Sequence, residues 1–389
     1  MAAYHGGMRN PSLSHLQCIA CQSEYPIQDL PAGCPACARA GRPASVQAVY
    51  GRLPQRLTSS AAGYKWGDWL PYRDGVSLGE GGTPCVPLAR LARELGISQL
   101  SAKLEGANPT GSHKDRMSAQ AVTRALDVGA RRVVLASSGN AAISAAAYCA
   151  AAGLDCEVAT YHDMPEPYVR ALHRLGARRE VFAKGEERWA HVRRGVEEEG
   201  AFALTNYSVP AVGSPVFGVE GYRAVALEIA VQACTPDHVL VPTARGDLLW
   251  GIHSGLRDLH AQGLITRLPR LWAVEPFPRL ARVLAGACAQ GTFEGRTAQF
   301  STAGHTVTLQ QVLAVEASGG GAVVVSDAQA DQGVGALARE GHWVELCAGA
   351  TVGALSQLLA LGRIHRSEHA LLLLTARGDR DPFEPATLS

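Results

Sequence analysis

The sequence predicts two doubly wound α/β domains behind an N-terminal zinc ribbon, and three observations carry that prediction. From Ser77 onward, short apolar runs alternate with amphipathic or small-residue helical segments, the pattern of parallel sheets covered on both faces. The alternation runs through twice, which implies two domains with a cleft between them. Near the N-terminus, Cys18-Ile19-Ala20-Cys21 and Cys34-Pro35-Ala36-Cys37 form two C-x-x-C hairpins, enough to close one tetrahedral site of four thiolates. Composition agrees: 47% hydrophobic and 18% charged residues, with 42 glycines among 389 residues, suit a compact enzyme rich in tight turns.

Taken in order, residues 1–42 read as the ribbon, with Pro26, Pro31, Gly33 and Pro35 supplying turns. A redox pair does not come as two matched hairpins, and four protein ligands leave no open position. Cys18, Cys21, Cys34 and Cys37 are therefore expected to hold a structural zinc ion. The scattered Cys85, Cys149, Cys156, Cys234, Cys288 and Cys347 are expected to be small buried hydrophobes. Residues 43–76 are irregular, with Tyr64, Trp66, Trp69 and Tyr72 expected to wrap onto the next domain. The turn-rich loop Ser77–Pro84 leads into a short helix, Leu88–Leu95, and a strand, Leu100–Leu104. A helix from Asp115 to Val128 follows, with Gly129 past its end. Then come strand Arg132–Leu135, helix Ala141–Ala152, strand Glu157–Tyr161, helix Glu166–Leu175, strand Val181–Ala183, a charged helix near 186–199 and strand Phe202–Thr205. The second half offers helix Glu220–Ala233, strand His238–Val241, helix Leu248–Leu259, strand Leu271–Val274 and helices near 278–288 and 308–316. It closes with strand Val323–Val325, helix Ala328–Arg339, strand Trp343–Cys347, helix Ala350–Leu361 and strand Ala370–Thr375.

Charge narrows the partners. With 36 basic and 35 acidic residues the formal net charge is +1, so neither nucleic acid nor an anionic membrane is an expected partner. The first residues lack the apolar core of a signal peptide, and no apolar run reaches membrane-spanning length. A cytoplasmic enzyme acting on a small molecule is expected.

One lysine stands out. In Asn108-Pro109-Thr110-Gly111-Ser112-His113-Lys114-Asp115-Arg116, the first residues set a tight turn and Ser112 can cap the helix beginning near Lys114. An amine at the positive end of a helix has a lowered pKa and reacts more readily, as the free base, with an aldehyde. Thr-Ala-Arg-Gly-Asp occurs twice, at Thr243–Asp247 and Thr375–Asp379, each time after an apolar strand run. Both copies should lie at carboxyl ends of strands, where α/β folds bind ligands. Ser318–Gly321 precedes a strand and so lies at the wrong end of the sheet, while Gly333-Val334-Gly335 falls inside a helical pattern and reads as core packing.

Asn108–Arg116 resembles the N-P-T-G-S-F-K-D-R motif of threonine synthases and their relatives, fold-type II enzymes that use pyridoxal 5′-phosphate (PLP); His113 replaces the usual Phe. Ser137-Ser138-Gly139-Asn140-Ala141-Ala142 resembles that family's S-S-G-N-T-A loop, and Leu78–Pro84 resembles its L-G-E-G-x-T-P loop. Glu220-Gly221-Tyr222 and Leu374–Pro382 fall where the family has E-G-Q and L-T-G-H-G-L-K-D-P. A four-cysteine ribbon also precedes the catalytic domains in some relatives. The resemblance spans about residues 77–382. It implies that Lys114 carries PLP as a Schiff base and later moves protons at the substrate. Asn140 would bond the cofactor 3′-oxygen, and the Thr375 hydroxyl would face the pyridine nitrogen. Ser137, Ser138 and Gly139 would hold the substrate carboxylate at a helix N-terminus, with Ala141 where the family has a threonine. The layout implied is a ribbon over 1–42, a large PLP-binding domain over 43–110 and 205–389, and a small domain over 111–204.

Two stretches depart from the family. Its Gly/Asn-rich phosphate loop is matched by Thr243-Ala244-Arg245-Gly246-Asp247, with a single glycine. Ala244, Arg245, Gly246 and Asp247 are expected to hold the cofactor phosphate, Arg245 by direct neutralisation, with Asp247 capping the next helix or orienting Arg245. The family's N-S-x-N-P-x-R run is matched by Asn206-Tyr207-Ser208-Val209-Pro210, which keeps Asn206 and Ser208 as substrate-binding donors but has no arginine in place. Arg116 and His113 are the residues expected to compensate. The reaction class implied is elimination or replacement at the β- or γ-carbon of an activated amino acid. Threonine synthase is the leading activity, β-replacement on phosphoserine or O-acetylserine the alternative, a dehydratase third, and a non-catalytic PLP-binding homologue the remaining reading. A homodimer is expected.

Overall fold

The computed structural model of the protein describes residues 7–57, 63–232 and 235–383. Cys234 and the Tyr64 side chain lie outside the described residues. The chain begins with a three-stranded antiparallel sheet, ordered β2-β1-β3, built from β1 (Leu13–Cys18), β2 (Glu24–Tyr25) and β3 (Val46–Tyr50). Helix α1 (Pro35–Arg39) joins β2 to β3, and Cys34 caps it. β3 lies past residue 42, so the ribbon's sheet draws in part of the segment expected to be irregular. Beyond it, Trp66, Trp69 and Tyr72 are buried in the main core, and the Tyr72 hydroxyl donates to Asp127 at 2.6 Å.

From β4 (Cys85–Pro87) on, short apolar strands alternate with helices. The order is α2 (Ala89–Leu95), β5 (Gln99–Leu104), α3 (Lys114–Asp127), β6 (Arg132–Ala136), α4 (Asn140–Ala152), β7 (Asp155–Tyr161), α5 (Glu166–Arg174), β8 (Arg178–Phe182), α6 (Gly185–Glu197) and β9 (Phe202–Ala203). Then follow α7 (Val216–Glu220), α8 (Arg223–Gln232), β10 (His238–Pro242), α9 (Asp247–Ala261), β11 (Arg270–Glu275), α10 (Leu280–Leu284), α11 (Leu309–Ser318), β12 (Gly321–Val324), α12 (Asp327–Ala338), α13 (Leu346–Ala360) and β13 (His369–Leu374). They form two sheets. The smaller, β8-β7-β6-β9, is parallel throughout. The larger, β12-β11-β10-β13-β5-β4, is parallel except for β4, an antiparallel edge on β5. β10 and β13 are adjacent and buried along their lengths. The two Thr-Ala-Arg-Gly-Asp copies therefore leave the same sheet side by side. No helix among the described residues is long and apolar enough to cross a membrane.

Several elements differ from the sequence reading. Trp343–Cys347 is not a strand. Trp343 is 65% exposed, Val344 makes only an isolated bridge to Arg377, and α13 starts at Leu346, whose N–H the Asp381 carboxylate accepts at 2.5 Å. That carboxylate at the helix start decides the matter against an apolar run too short to distinguish strand from helix. The helix expected over 220–233 starts only at Arg223, as α8; Glu220 instead ends α7, and Gly221-Tyr222 separate the two. A Cβ on Gly221 would come within 2.0 Å of the Arg116 carbonyl oxygen, so the break lets two backbones touch. β8 begins at Arg178, earlier than its apolar residues suggest. Cys149, Cys156 and Cys347 are buried as expected, but Cys85 is partly exposed and Cys288 exposed. Gly333 packs α12 on α13, where a Cβ would lie 2.1 Å from the Gly349 carbonyl oxygen.

Beneath the first turns of α3 lies a buried ionic network. Arg116 reaches Glu105 and Glu228, each at 2.7 Å. Lys103 meets Glu228 at 2.6 Å, and Thr83 donates to Glu105 at 2.8 Å. Such a set is tolerated only when every charge is paired. It ties β5, α3, α8 and the Ser77–Pro84 loop together below Lys114.

Candidate active site

Lys114 is the first residue of α3. Its N–H donates to Ser112 Oγ at 3.3 Å, but the N-cap position falls to His113, which makes no side-chain cap, and not to Ser112 as the sequence suggested. The turn before it is fixed from both sides. Thr110 N–H donates to the Asp115 carboxylate at 2.6 Å, and His113 N–H donates to the Thr375 carbonyl at 3.0 Å. The lysine loop is thus pinned to the end of β13. Lys114 Nζ lies 3.3 Å from the Tyr222 hydroxyl. Enclosure of the amine lowers its pKa below the ordinary lysine range; Arg245 pushes the same way, while Asp247 and Glu345 oppose. The amine is poised to be neutral more readily than a surface lysine.

Asn140 and Thr375 converge on one buried carboxyl. Glu345 Oε1 accepts from Thr375 Oγ1 at 2.7 Å, and its Oε2 accepts from Asn140 Nδ2 at 3.0 Å and Ser301 Oγ at 3.1 Å. Burial raises the Glu345 pKa, and the three donors oppose that only in part. In the loop before α4, Ser137 Oγ accepts from Gly139 N–H at 3.3 Å. Ser138 Oγ accepts from Thr160 Oγ1 at 3.0 Å and from Arg188 Nη1 at 3.2 Å. Phe300 packs against Gly139, where a Cβ would meet its ring at 2.9 Å.

The loop from β10 to α9 is shaped by its neighbours. The Ala244 carbonyl accepts from Gln311 Nε2 at 2.7 Å. The Arg245 carbonyl accepts from Thr308 Oγ1 at 2.7 Å and Gln310 Nε2 at 3.2 Å. The Thr243 carbonyl accepts from Arg279 Nη2 at 2.9 Å. Gly246 sits at φ +82° and a Cβ there would strike Gln311 at 2.2 Å, so both its conformation and its neighbour require glycine. With the carbonyls taken up toward α11, the N–H groups of 244–246 donate to no described residue. They stand at the N-terminus of a fifteen-residue helix, an arrangement that binds anions.

A family model described as "Pyridoxal-phosphate dependent enzyme" matches residues 76–376. The chain belongs to that family. A threonine synthase of Methanocaldococcus jannaschii is 32% identical over 338 residues, covering 82% of this chain and 80% of the relative. A threonine synthase of Methanosarcina acetivorans is 29% identical over 391 residues, covering 95% and 92%. Among solved structures, maize serine racemase superposes with a TM-score of 0.65 at 19% identity, covering 76% of this chain and 88% of that one. O-ureido-L-serine synthase gives 0.62 at 22%, covering 77% and 90%. These likenesses establish the fold-type II architecture. The chain is a threonine synthase-like, PLP-dependent synthase or lyase.

Within this PLP enzyme, several expected residues serve other ends. Asn206 turns inward: its Oδ1 accepts from Ser208 N–H at 3.1 Å and Val212 N–H at 3.4 Å, and its Nδ2 donates to the Ser208 carbonyl at 3.3 Å. It builds its own loop. Ser208 Oγ is buried without a hydrogen-bond partner. The adjoining Val209 and Pro210 line a cavity of about 600 Å³ shared with Cys21 and Cys37 of the ribbon. Arg116 is consumed by its ionic network, and the His113 ring faces the Thr375 carbonyl through Nδ1 at 3.2 Å, so neither compensates for the missing arginine. Asp247 does not orient Arg245. Its carboxylate accepts from Ser214 N–H at 3.0 Å, Ser214 Oγ at 2.7 Å and Gln310 Nε2 at 2.6 Å. Ala141 begins the second position of α4 and adds no polar group.

Five side chains were missed. Tyr222 lay in a matched motif but was given no role, while Glu345, Gln310, Gln311 and Arg188 sit in helical or short apolar stretches that signal nothing by themselves. In the ribbon, the Cys18 and Cys37 sulfurs are 3.6 Å apart and those of Cys21 and Cys34 3.7 Å. All four lie within 4.8 Å of one another. N–H groups of Ala20 and Cys21 donate to the Cys18 sulfur, and that of Cys37 to the Cys34 sulfur.

Proposed function

We propose that the enzyme converts an activated amino acid by elimination and replacement, with O-phosphohomoserine to threonine as the leading reaction. One observation carries this reading: a lysine amine of lowered pKa lies in a loop pinned to Thr375, with Asn140 joined to Thr375 through Glu345. PLP fits these residues, because the unpartnered N–H groups of 244–246 at the start of α9 suit a phosphate. PLP held by Lys114 supplies an electron sink for charge developing at the substrate α-carbon.

The chain's own groups do the rest. Lys114 Nζ, as a neutral amine oriented by the Tyr222 hydroxyl, would carry protons at the substrate α- and β-carbons, while phosphate leaves from the γ-carbon and water supplies the hydroxyl at the β-carbon. Asn140 would hold the cofactor 3′-oxygen and Thr375 would face its ring nitrogen. Ser137, Ser138 and the first N–H groups of α4 bind the substrate carboxylate. The two sheets form the walls of two domains, with the site between them. A structural zinc ion suits the four cysteines, since the sulfur–sulfur edge of a tetrahedron with Zn–S of about 2.3 Å is about 3.8 Å. Homodimeric assembly and a cytoplasmic location complete the reading.

β-Replacement on phosphoserine or O-acetylserine is the second reading, favoured by Asn206 being used up within its own loop. The absorption spectrum of the purified protein is the test. We expect a near-visible band with PLP, absent in Lys114→Ala; protein that stays colourless with added PLP defeats the proposal. Comparing product release from O-phosphohomoserine and O-acetylserine then chooses between the readings.

A further inference from the structure

Two guanidinium groups near this site have no anionic partner. Arg188 rises from the start of α6. Its Nη2 donates to the Tyr161 hydroxyl at 2.7 Å, its Nη1 to Ser138 Oγ at 3.2 Å, and its guanidinium lies 3.5 Å from the centre of the Tyr161 ring. Arg245, across from it in the loop after β10, lies 5.7 Å from the centre of the Trp189 ring. The Nε of each is buried with no acceptor. Among the described residues neither forms an ion pair. Burial, with the charge of Arg245, holds the Arg188 pKa below the ordinary arginine range, against the opposing Tyr161 and the exposed Asp163. Two like charges brought together without an ion pair to either leave room for an anion from outside.

We propose that Arg188 and Arg245 form a two-guanidinium site for a second anionic group of the substrate, a phosphate or similar oxyanion beyond its α-carboxylate. This rests on the proposed function and narrows its substrate class. Arg188 supplies, from a different element, the fork that the Asn206–Pro210 run lacks. Its attachment to Ser138 sets it on the side of the carboxylate-binding loop rather than at the α9 N-terminus, which favours the substrate's anion over the cofactor's phosphate. Ser138 Oγ already accepts from Thr160 and Arg188, so its own proton remains free for the substrate α-carboxylate, with Arg188 beside it for the second anion.

The test uses holoenzyme titrated with O-phospho-L-homoserine and with L-homoserine, followed by the change in the cofactor's absorption. Wild type should prefer the phosphorylated compound. Arg188→Gln and Arg245→Gln should each weaken its half-saturation by roughly 10- to 100-fold, the scale of a hydrogen bond to a charged group, while L-homoserine changes less than about threefold. Arg188→Lys should recover part of the loss. Inorganic phosphate should compete against wild type and fail against Arg188→Gln. Equal losses for both amino acids, or weakened PLP retention with unchanged preference, overturn the inference by placing Arg188 on the α-carboxylate or the cofactor. Colourless wild-type protein would instead defeat the cofactor reading beneath it.

Discussion

Glu345 binds its neighbours only by accepting, yet burial pushes its pKa up from the ordinary 4.5. The folded protein therefore holds that proton more tightly than the unfolded chain, and the sign follows: stability is fullest below about 4.5 and is lost as pH rises through the raised value. Glu345→Gln removes this slope. Urea midpoints of the variant should gain on wild type by up to about 1.4 kcal/mol per pH unit across that window, and parallel profiles would refute the assignment. Loss of an acceptor for Thr375 or Asn140 should also loosen PLP, read as a higher PLP concentration for half-maximal colour. At this scale the sequence was unevenly legible. Lys114 announced itself because turn residues and a candidate cap surround it in one continuous stretch. Glu345 and Arg188 could not, because their importance lies in partners far along the chain: Thr375 and Asn140 for one, Ser138 and Tyr161 for the other. Asn206 misled for the converse reason, since a donor's presence does not say where its amide points.

The elements that carry the lysine depend on the ionic network under α3. Glu228 pairs with both Arg116 and Lys103, so Glu228→Ala leaves Lys103 buried without an ion pair and Arg116 with Glu105 alone. It should cost about 3–5 kcal/mol in chemical denaturation, whereas Arg90→Ala, on a surface pair with Glu94, should cost under about 1 kcal/mol. Equal effects would mean the network is not closed. Gly221→Ala forces the α7–α8 junction away from the Arg116 carbonyl and should cost about 1–3 kcal/mol; because it shifts Tyr222, it should also slow turnover at saturating substrate. Element order was largely readable from apolar periodicity. The failures came where tertiary contacts overruled it: the Asp381 carboxylate turned 346–347 into a helix start, and close packing on α3 delayed the helix expected from Glu220 to Arg223.

Across the whole molecule, the ribbon and both sheets share one buried apolar core, in which Leu16, Leu135 and Leu371 all take part. Saturating PLP at about 100 times its Kd should add about 2.7 kcal/mol to folding free energy, read as a rise in Tm that Lys114→Ala reduces. Cys37→Ser should abolish zinc in a metal assay of purified protein; wild type lacking zinc would refute the ribbon proposal. The alternating pattern revealed two sheets but not their strand order, nor the antiparallel β4 edge, because three residues carry too little periodicity to register. The loop between β10 and α9 has one further consequence. Its shape is imposed by Thr308, Gln310 and Gln311, which lie more than sixty residues downstream, and not by its own composition. A cradle of this kind is not portable: grafting Thr243–Asp247 into a glycine-rich relative should give a protein that binds phosphate poorly until the matching α11 surface travels with it.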